Sequence, residues 1–378
     1  MTDFDGNAQA AEMCLPSKDL SADVTFFTDR LGFRLDTIFP ADDPSVATVS
    51  GYGLQIRLER GSTAAPGIVR LLCRNPGVLR ARGGGLVAPN GTRVVIADAN
   101  PPLERPPTAH AFVVRRLKDN TPWVIGRAGM RYRDLIPGRL GGSIIASHIR
   151  IPDPGPVPDM VHYHTVGFQL IFCYSGWVRL VYEDQGPPFV LGAYDCVIQP
   201  PRIRHRVLEA SENLQVIEIG VPAEHVTTVD HDMQLPTALV RADRDFDGQI
   251  FCRSRAEDAV WKPWRISGFE ARETGIGQAT RGVASVQVAR LNGPHGDVTS
   301  HTSDILFAFV LSGSMRLSAE GQGAQALTEG DAYVVPPGMK TALTNGSQDL
   351  ELLEVSLPAQ FATRIHPETD LAPRAAHS

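Results

Sequence analysis

The 378-residue chain is 43% hydrophobic and 21% charged, a soluble globular composition, and it is too long for one compact core, so two or three domains are expected. The formal net charge is -6 and the 36 Lys and Arg residues are scattered, which argues against nucleic acid or an anionic membrane as partner. No stretch reaches the roughly eighteen apolar residues of a membrane span, and the acidic start MTDFDGNAQAAEM has no signal-peptide core, so a cytoplasmic protein is expected.

Five cysteines (Cys14, Cys73, Cys173, Cys196, Cys252) form an odd set without CxxC spacing, which predicts reduced thiols. The 35 glycines and 29 prolines punctuate short β-branched and aromatic runs, so the chain reads as mainly β. The first elements are a short strand over 13–16 and one helix in SADVTFFTDRLGF. Ser21 is the expected N-cap, Val24, Phe27 and Leu31 recur at helical spacing, and Gly32 stands where a C-terminal glycine belongs. Phe27 and Leu31 should pack on a sheet, with Asp23 and Arg30 outside. FRLDTIF, VATVSGY and LQIRLER follow as strands, giving the order βαβββ.

These runs resemble one module of the glyoxalase, bleomycin-resistance and extradiol-dioxygenase superfamily, the vicinal oxygen chelate fold. LVAPNGTRVVIAD (86–98) resembles the closing hairpin of a second, shortened module. Metal-binding members of that superfamily carry a histidine on the first strand. EMCLPSKDL has none, and Glu59 alone is a strand-end acid, so residues 1–99 are expected to be metal-free, in a structural or substrate-covering role. The proline-rich DANPPLERPPTAH reads as a linker, placed at 100–112.

Beyond it the chain repeats itself. FQLIFCYSGWVRLVYE (168–183) matches ILFAFVLSGSMRLSAE (305–320), and YDCVIQPPRIRHRVL (194–208) matches GDAYVVPPGMKTALT (330–344). A duplicated β-domain is expected, with copies at 113–240 and 241–378 packed on each other.

In HYHTVGFQ, His162 and His164 share one face of a strand and Tyr163 takes the other. His205 emerges from the double-proline turn PPRIRH, and a hairpin through Gly176 can bring it and Gln169 to the first two imidazoles. The pattern resembles the cupin family. His162, His164, four residues, Gln169, six residues and Gly176 follow its first motif, and YDCVIQPPRIRH follows its second, with Tyr194 and Arg202 in place of motif glycines and Gln169 in place of glutamate.

The resemblance implies two double-stranded β-helix (jelly-roll) barrels, similar to quercetin-dioxygenase-like bicupins and to the bacilysin-pathway bicupin, which also uses glutamine. It implies one divalent transition metal per chain, Fe(II) favoured over Mn, Ni or Zn, held by His162, His164, Gln169 and His205. A neutral ligand set leaves the ion's +2 charge uncompensated, which suits an anionic small-molecule substrate, and a carboxylate in place of Gln169 would bind the ion more tightly.

Arg204, Phe168 and Tyr182 are candidate substrate contacts, and Glu218 is a candidate base. Its repeat counterpart Glu354, where no metal is expected, weighs toward a structural role. The second copy offers Thr299, His301, Leu306 and Thr341 at the ligand positions, so it is expected to be metal-free and structural. The function expected is an enzyme, a dioxygenase cleaving a phenol, enol or β-diketone. The alternatives are a cupin isomerase or decarboxylase, or a non-catalytic metabolite-binding protein; homodimerisation is left open.

Overall fold

The computed structural model describes residues 8–77, 86–119 and 122–367, so the outer ends of the expected spans 1–99 and 241–378 lie outside it. Two compact units are present, Met1–Pro102 and Leu103–Ser378. Among the described residues no helix is long and apolar enough to cross a membrane.

The first unit opens with β1 (Met13–Ser17), helix α1 (Leu20–Thr25) running into a π-helical turn (Phe26–Arg30), then β2 (Arg34–Phe39), β3 (Val46–Gly51) and β4 (Leu54–Arg60). The sheet order is β1-β4-β3-β2, with β1 parallel to β4. Phe27 and Leu31 pack with Ile56 and Leu58, as their spacing predicts, and Gly32 takes the left-handed conformation, φ +78°.

Two details differ from expectation. The N-cap is Asp19, whose Oδ1 accepts from the Ala22 N–H at 3.0 Å, because the helix begins one residue before Ser21. Asp23 is fully buried instead of exposed. Leu20, Asp23 and Phe27 lie on one helical stripe, and the carboxylate there accepts from Ser17 Oγ (2.6 Å) and the Asn90 backbone N–H (2.8 Å). β5 (Ile68–Cys73), β6 (Leu86–Val87) and β7 (Arg93–Asp98) form a three-stranded sheet. β5 is parallel and β6 antiparallel to β7, which repeats the pairing of β1 and β3 with β4. Glu59 is half-buried at a strand end and held by Arg57 Nε at 2.6 Å.

The second unit holds two barrels built from corresponding strands. Their larger sheets pack face to face through Phe168, Leu170, Phe172, Ile217 and Ile219 of one and Phe307, Phe309, Leu353 and Val355 of the other. Each repeat gives a strand to the other barrel. β8 (Val113–Arg115) pairs with Ala332–Val334, and Cys252–Ser254 pairs with Cys196–Ile198. Two buried arginines reinforce this exchange: Arg133 Nη2 donates to the Gly330 carbonyl (2.6 Å) and Arg272 Nη2 to that of Tyr194 (2.5 Å).

The later part of the proline-rich stretch is fastened to this unit. Thr108 Oγ1 and His110 Nε2 both bond Asp304, each at 2.7 Å. All five cysteines are free, and burial pushes the thiols of Cys173 and Cys196 up to about 12, so both are unreactive.

Tyr194 and Arg202, which replace motif glycines, keep the left-handed backbone (φ 68° and 62°) that Gly330 and Gly338 adopt in the second copy (φ 83° and 81°). The turn geometry is therefore retained at a cost of about 1 kcal/mol at each substituted position.

Candidate metal centre

The strand His162–His164 turns both imidazoles inward, and His162 lies directly opposite His205 on the neighbouring strand. Ring centroids are 4.3 Å apart for His162 and His205, 5.1 Å for His162 and His164, and 5.3 Å for His164 and His205. One ligand atom from each of the three lies within 4.8 Å of the others, and among the described residues no other His, Cys, Asp or Glu cluster has this geometry.

Each ring is oriented through Nδ1. That of His162 meets the Met160 carbonyl (2.7 Å), that of His205 the Ile203 carbonyl (3.0 Å) and that of His164 the Thr227 hydroxyl (2.9 Å). A carbonyl can only accept, so Nδ1 carries the proton at His162 and His205, and Nε2 keeps its lone pair. His162 Nε2 is buried with no hydrogen-bond partner. Burial lowers the basicity of all three: His164 to about 2, helped by the charge of His162, and His205 well below the usual range. His162 is lowered by burial and by the Arg127 charge. The rings are therefore neutral near pH 7, the form that ligates a cation.

Gln169 comes from the strand Phe168–Ser175 and is buried. Its Nε2 donates to Glu218 Oε1 at 2.6 Å, and its Oε1 is buried without a partner. Glu218 lies opposite Ile171 in the strand pairing and so shares the inward face with Gln169. Burial raises its pKa, and the Gln169 N–H and the charges of His225 and Arg127 only partly offset this. Glu218 is half-buried because its remaining surface lines the cavity. His162 Nε2 and Gln169 Oε1 are buried polar atoms without partners, and three neutral imidazole nitrogens with one amide oxygen make a donor set that fits a divalent cation.

The cavity next to the histidines measures about 60 Å³. Its lining combines aliphatic side chains (Ile149, Ile171, Leu180, Val216) with polar ones, Arg127, Gln199 and Glu218 beside His164 and His205. Arg127 is the cavity's arginine, and its Nη1 pairs with the buried Asp159. The sequence reading missed it because it sits in a turn made by Ala128 (φ 53°) and Gly129 (φ 75°), which carries no strand periodicity.

None of the three candidate substrate contacts lines this cavity. Phe168 is next to the inward Gln169, so it faces the other barrel, where it is fully buried. Arg204 is next to the inward His205, so it points outward, bonded to Asp230 (3.0 Å) and lying over the Tyr163 ring (4.4 Å). Tyr182 is nearer, but it is a support: its ring stacks on His205 at 5.5 Å and its hydroxyl accepts from Gln199 Nε2 at 2.9 Å.

The second barrel has one histidine at the ligand positions, His301, and its Nε2 meets the Val335 carbonyl at 3.1 Å. The two repeat-related glutamates differ in their pairing. Glu354 is held by Arg265 through two hydrogen bonds, one of 2.9 Å from Nε, whereas among the described residues Glu218 has no cation bonded to it and Oε2 has no partner. Glu354 therefore gives no reason to read Glu218 as structural.

No protein-family profile and no curated protein matches the sequence. Solved structures do match. Salicylate 1,2-dioxygenase from Pseudaminobacter salicylatoxidans superposes with a TM-score of 0.52 at 17% identity, covering 69% of this chain and 90% of that one. A single-site variant of that enzyme in complex with gentisate gives 0.52 at 17% identity, covering 70% and 88%. Oxalate decarboxylase from Bacillus subtilis gives 0.50 at 15% identity, covering 70% and 83%. Both proteins are bicupins, and at these identities the likeness is one of fold: this chain is mainly β and carries two cupin barrels.

Proposed function

We propose that the first barrel is the active site of a metal-dependent enzyme. It takes one divalent transition metal, Fe(II) by preference over Mn, Ni or Zn, and acts as a dioxygenase on a small anionic phenol, enol or β-diketone. The observation that carries this reading is the convergence of three imidazoles, each engaged at Nδ1, and the buried, partnerless Gln169 Oε1 supplies a further donor of the kind a cation takes.

The ion, when bound, polarises an oxyanion and, as Fe(II), supports oxygen chemistry. The chain's own residues do the rest. Arg127 offers a cation to the anionic end of the substrate, and Asp159 fixes its direction. The aliphatic wall excludes water. Glu218, kept from ionising easily by burial, can hold or release a proton at Oε2 while Oε1 fixes the Gln169 amide.

That acid also favours a second reading, isomerisation or decarboxylation without oxygen. The first unit is read as a metal-free vicinal-oxygen-chelate-like module, supported by its parallel β1 and β4. Oxygen uptake by metal-loaded protein with catechols, flavonols, β-diketones, salicylate and gentisate tests the main reading. Consumption coupled to substrate loss supports it, and substrate conversion without oxygen consumption selects the second.

A further inference from the structure

The second barrel has lost the metal ligands but not its interior. A cavity of about 710 Å³ opens there, lined in part by Trp264, Arg265, Gln287, Glu354 and Ser356. Strand alternation places Glu354 and Ser356 inside the barrel: Leu353 and Val355 face the other barrel, while Leu352 lies in the second barrel's own core, so Glu354 and Ser356 point inward with Leu352. Gln287 lies opposite Glu354 in the strand pairing and joins them.

The charges are already closed. Arg265 grips Glu354 with two nitrogens and lies between the rings of Trp264 (4.7 Å) and Phe361 (5.6 Å). The other charged lining residues, Lys262 and Glu273, are exposed and opposite in sign, so the lining carries two cations and two carboxylates. An incoming anion would have to take Arg265 from Glu354 and leave a buried carboxylate unpaired. A transition metal would find one imidazole, already committed to a carbonyl. Ser356 is only 2% exposed, lines the cavity, and its hydroxyl has no hydrogen-bond partner among the described residues. A buried hydroxyl facing an open cavity is a hydrogen-bonding position left for a ligand.

We propose that the second barrel is a metal-free binding site for a small, neutral, hydroxyl-bearing molecule of the polyol or sugar kind, which hydrogen-bonds Ser356 and is contained by the Arg265–Glu354 pair. It is independent of the metal centre in the first barrel.

Calorimetric titration of the full chain tests this, with glycerol, D-glucose and myo-inositol as probes and benzoate as anionic control. One or more of the three neutral probes should bind at one per chain, equally in wild type and in a His162→Ala/His164→Ala variant. Ser356→Ala should weaken that binding about tenfold, the value of one hydrogen bond, with the melting curve confirming the fold. The proposal is overturned if no neutral probe binds up to roughly 100 mM. It is also overturned if binding survives unchanged in Ser356→Ala combined with Gln287→Leu, or if benzoate binds the histidine variant and Arg265→Gln abolishes that binding.

Discussion

Replacing Gln169 with glutamate would restore the usual ligand of such barrels, and on the sequence alone it should tighten metal binding. The structure sets a cost against that gain. The Gln169 amide nitrogen donates to Glu218 at 2.6 Å, so the variant exchanges a donor for a second carboxylate beside a buried acid. Two unit charges about 4 Å apart at an effective dielectric near 20 repel by about 4 kcal/mol. That repulsion offsets the added attraction to the ion. Gln169→Glu should bind metal no more tightly than wild type at pH 7. Adding Glu218→Gln returns a donor to the pair and should raise affinity over the single variant by up to about a thousandfold. Competitive chelator titrations of the wild type, both single variants and the double variant measure the coupling directly. If Gln169→Glu alone binds as tightly as the double variant, the Gln169–Glu218 hydrogen bond does not govern the site and the reasoning fails.

Phe168→Ala should cost about 3–5 kcal/mol of stability, because the ring is wholly buried between the barrels, with metal content unchanged; urea unfolding and metal analysis check both. Glu218→Gln should leave metal content intact and lower turnover by about 10²–10⁴-fold, measured on whichever substrate the oxygen-uptake screen identifies. Buried His148 has its pKa lowered to about 4, by burial first and then by the Arg133 charge. Its folded value lies below the unfolded one, so its contribution is fully present above about pH 6.5 and is lost as pH falls, reaching about 2 kcal/mol at pH 5. Urea unfolding midpoints at pH 7 and 5 should show the drop, and His148→Gln should reduce it by about that amount.

The candidate metal ligands are legible because they lie at fixed spacing on strands whose alternation can be counted. His162 and His164 share a face by parity, and a hairpin returns His205 to them. The same parity places Phe168 and Arg204 outside, since each is adjacent to an inward-facing residue, Gln169 or His205; their residue type points the other way. Asp23 was not legible, because one of its donors belongs to Asn90, distant in sequence. Arg127 reaches the cavity from a turn with left-handed backbone at a non-glycine residue, Ala128, which no propensity announces. The strand exchange between the barrels was hidden for a different reason. Val113–Arg115 reads as a strand, but nothing in a short apolar run states which edge it will join.

The central claim is that one metal is held in the first barrel by three histidines and a glutamine. Elemental analysis of protein purified without added metal, set beside a His162→Ala/His164→Ala variant, tests it most directly. One equivalent per chain in the wild type, and almost none in the variant, is the expected result, because one remaining imidazole and a neutral amide are too few ligands to compete with water. Two equivalents in the wild type, or metal fully retained by the double variant, would contradict it.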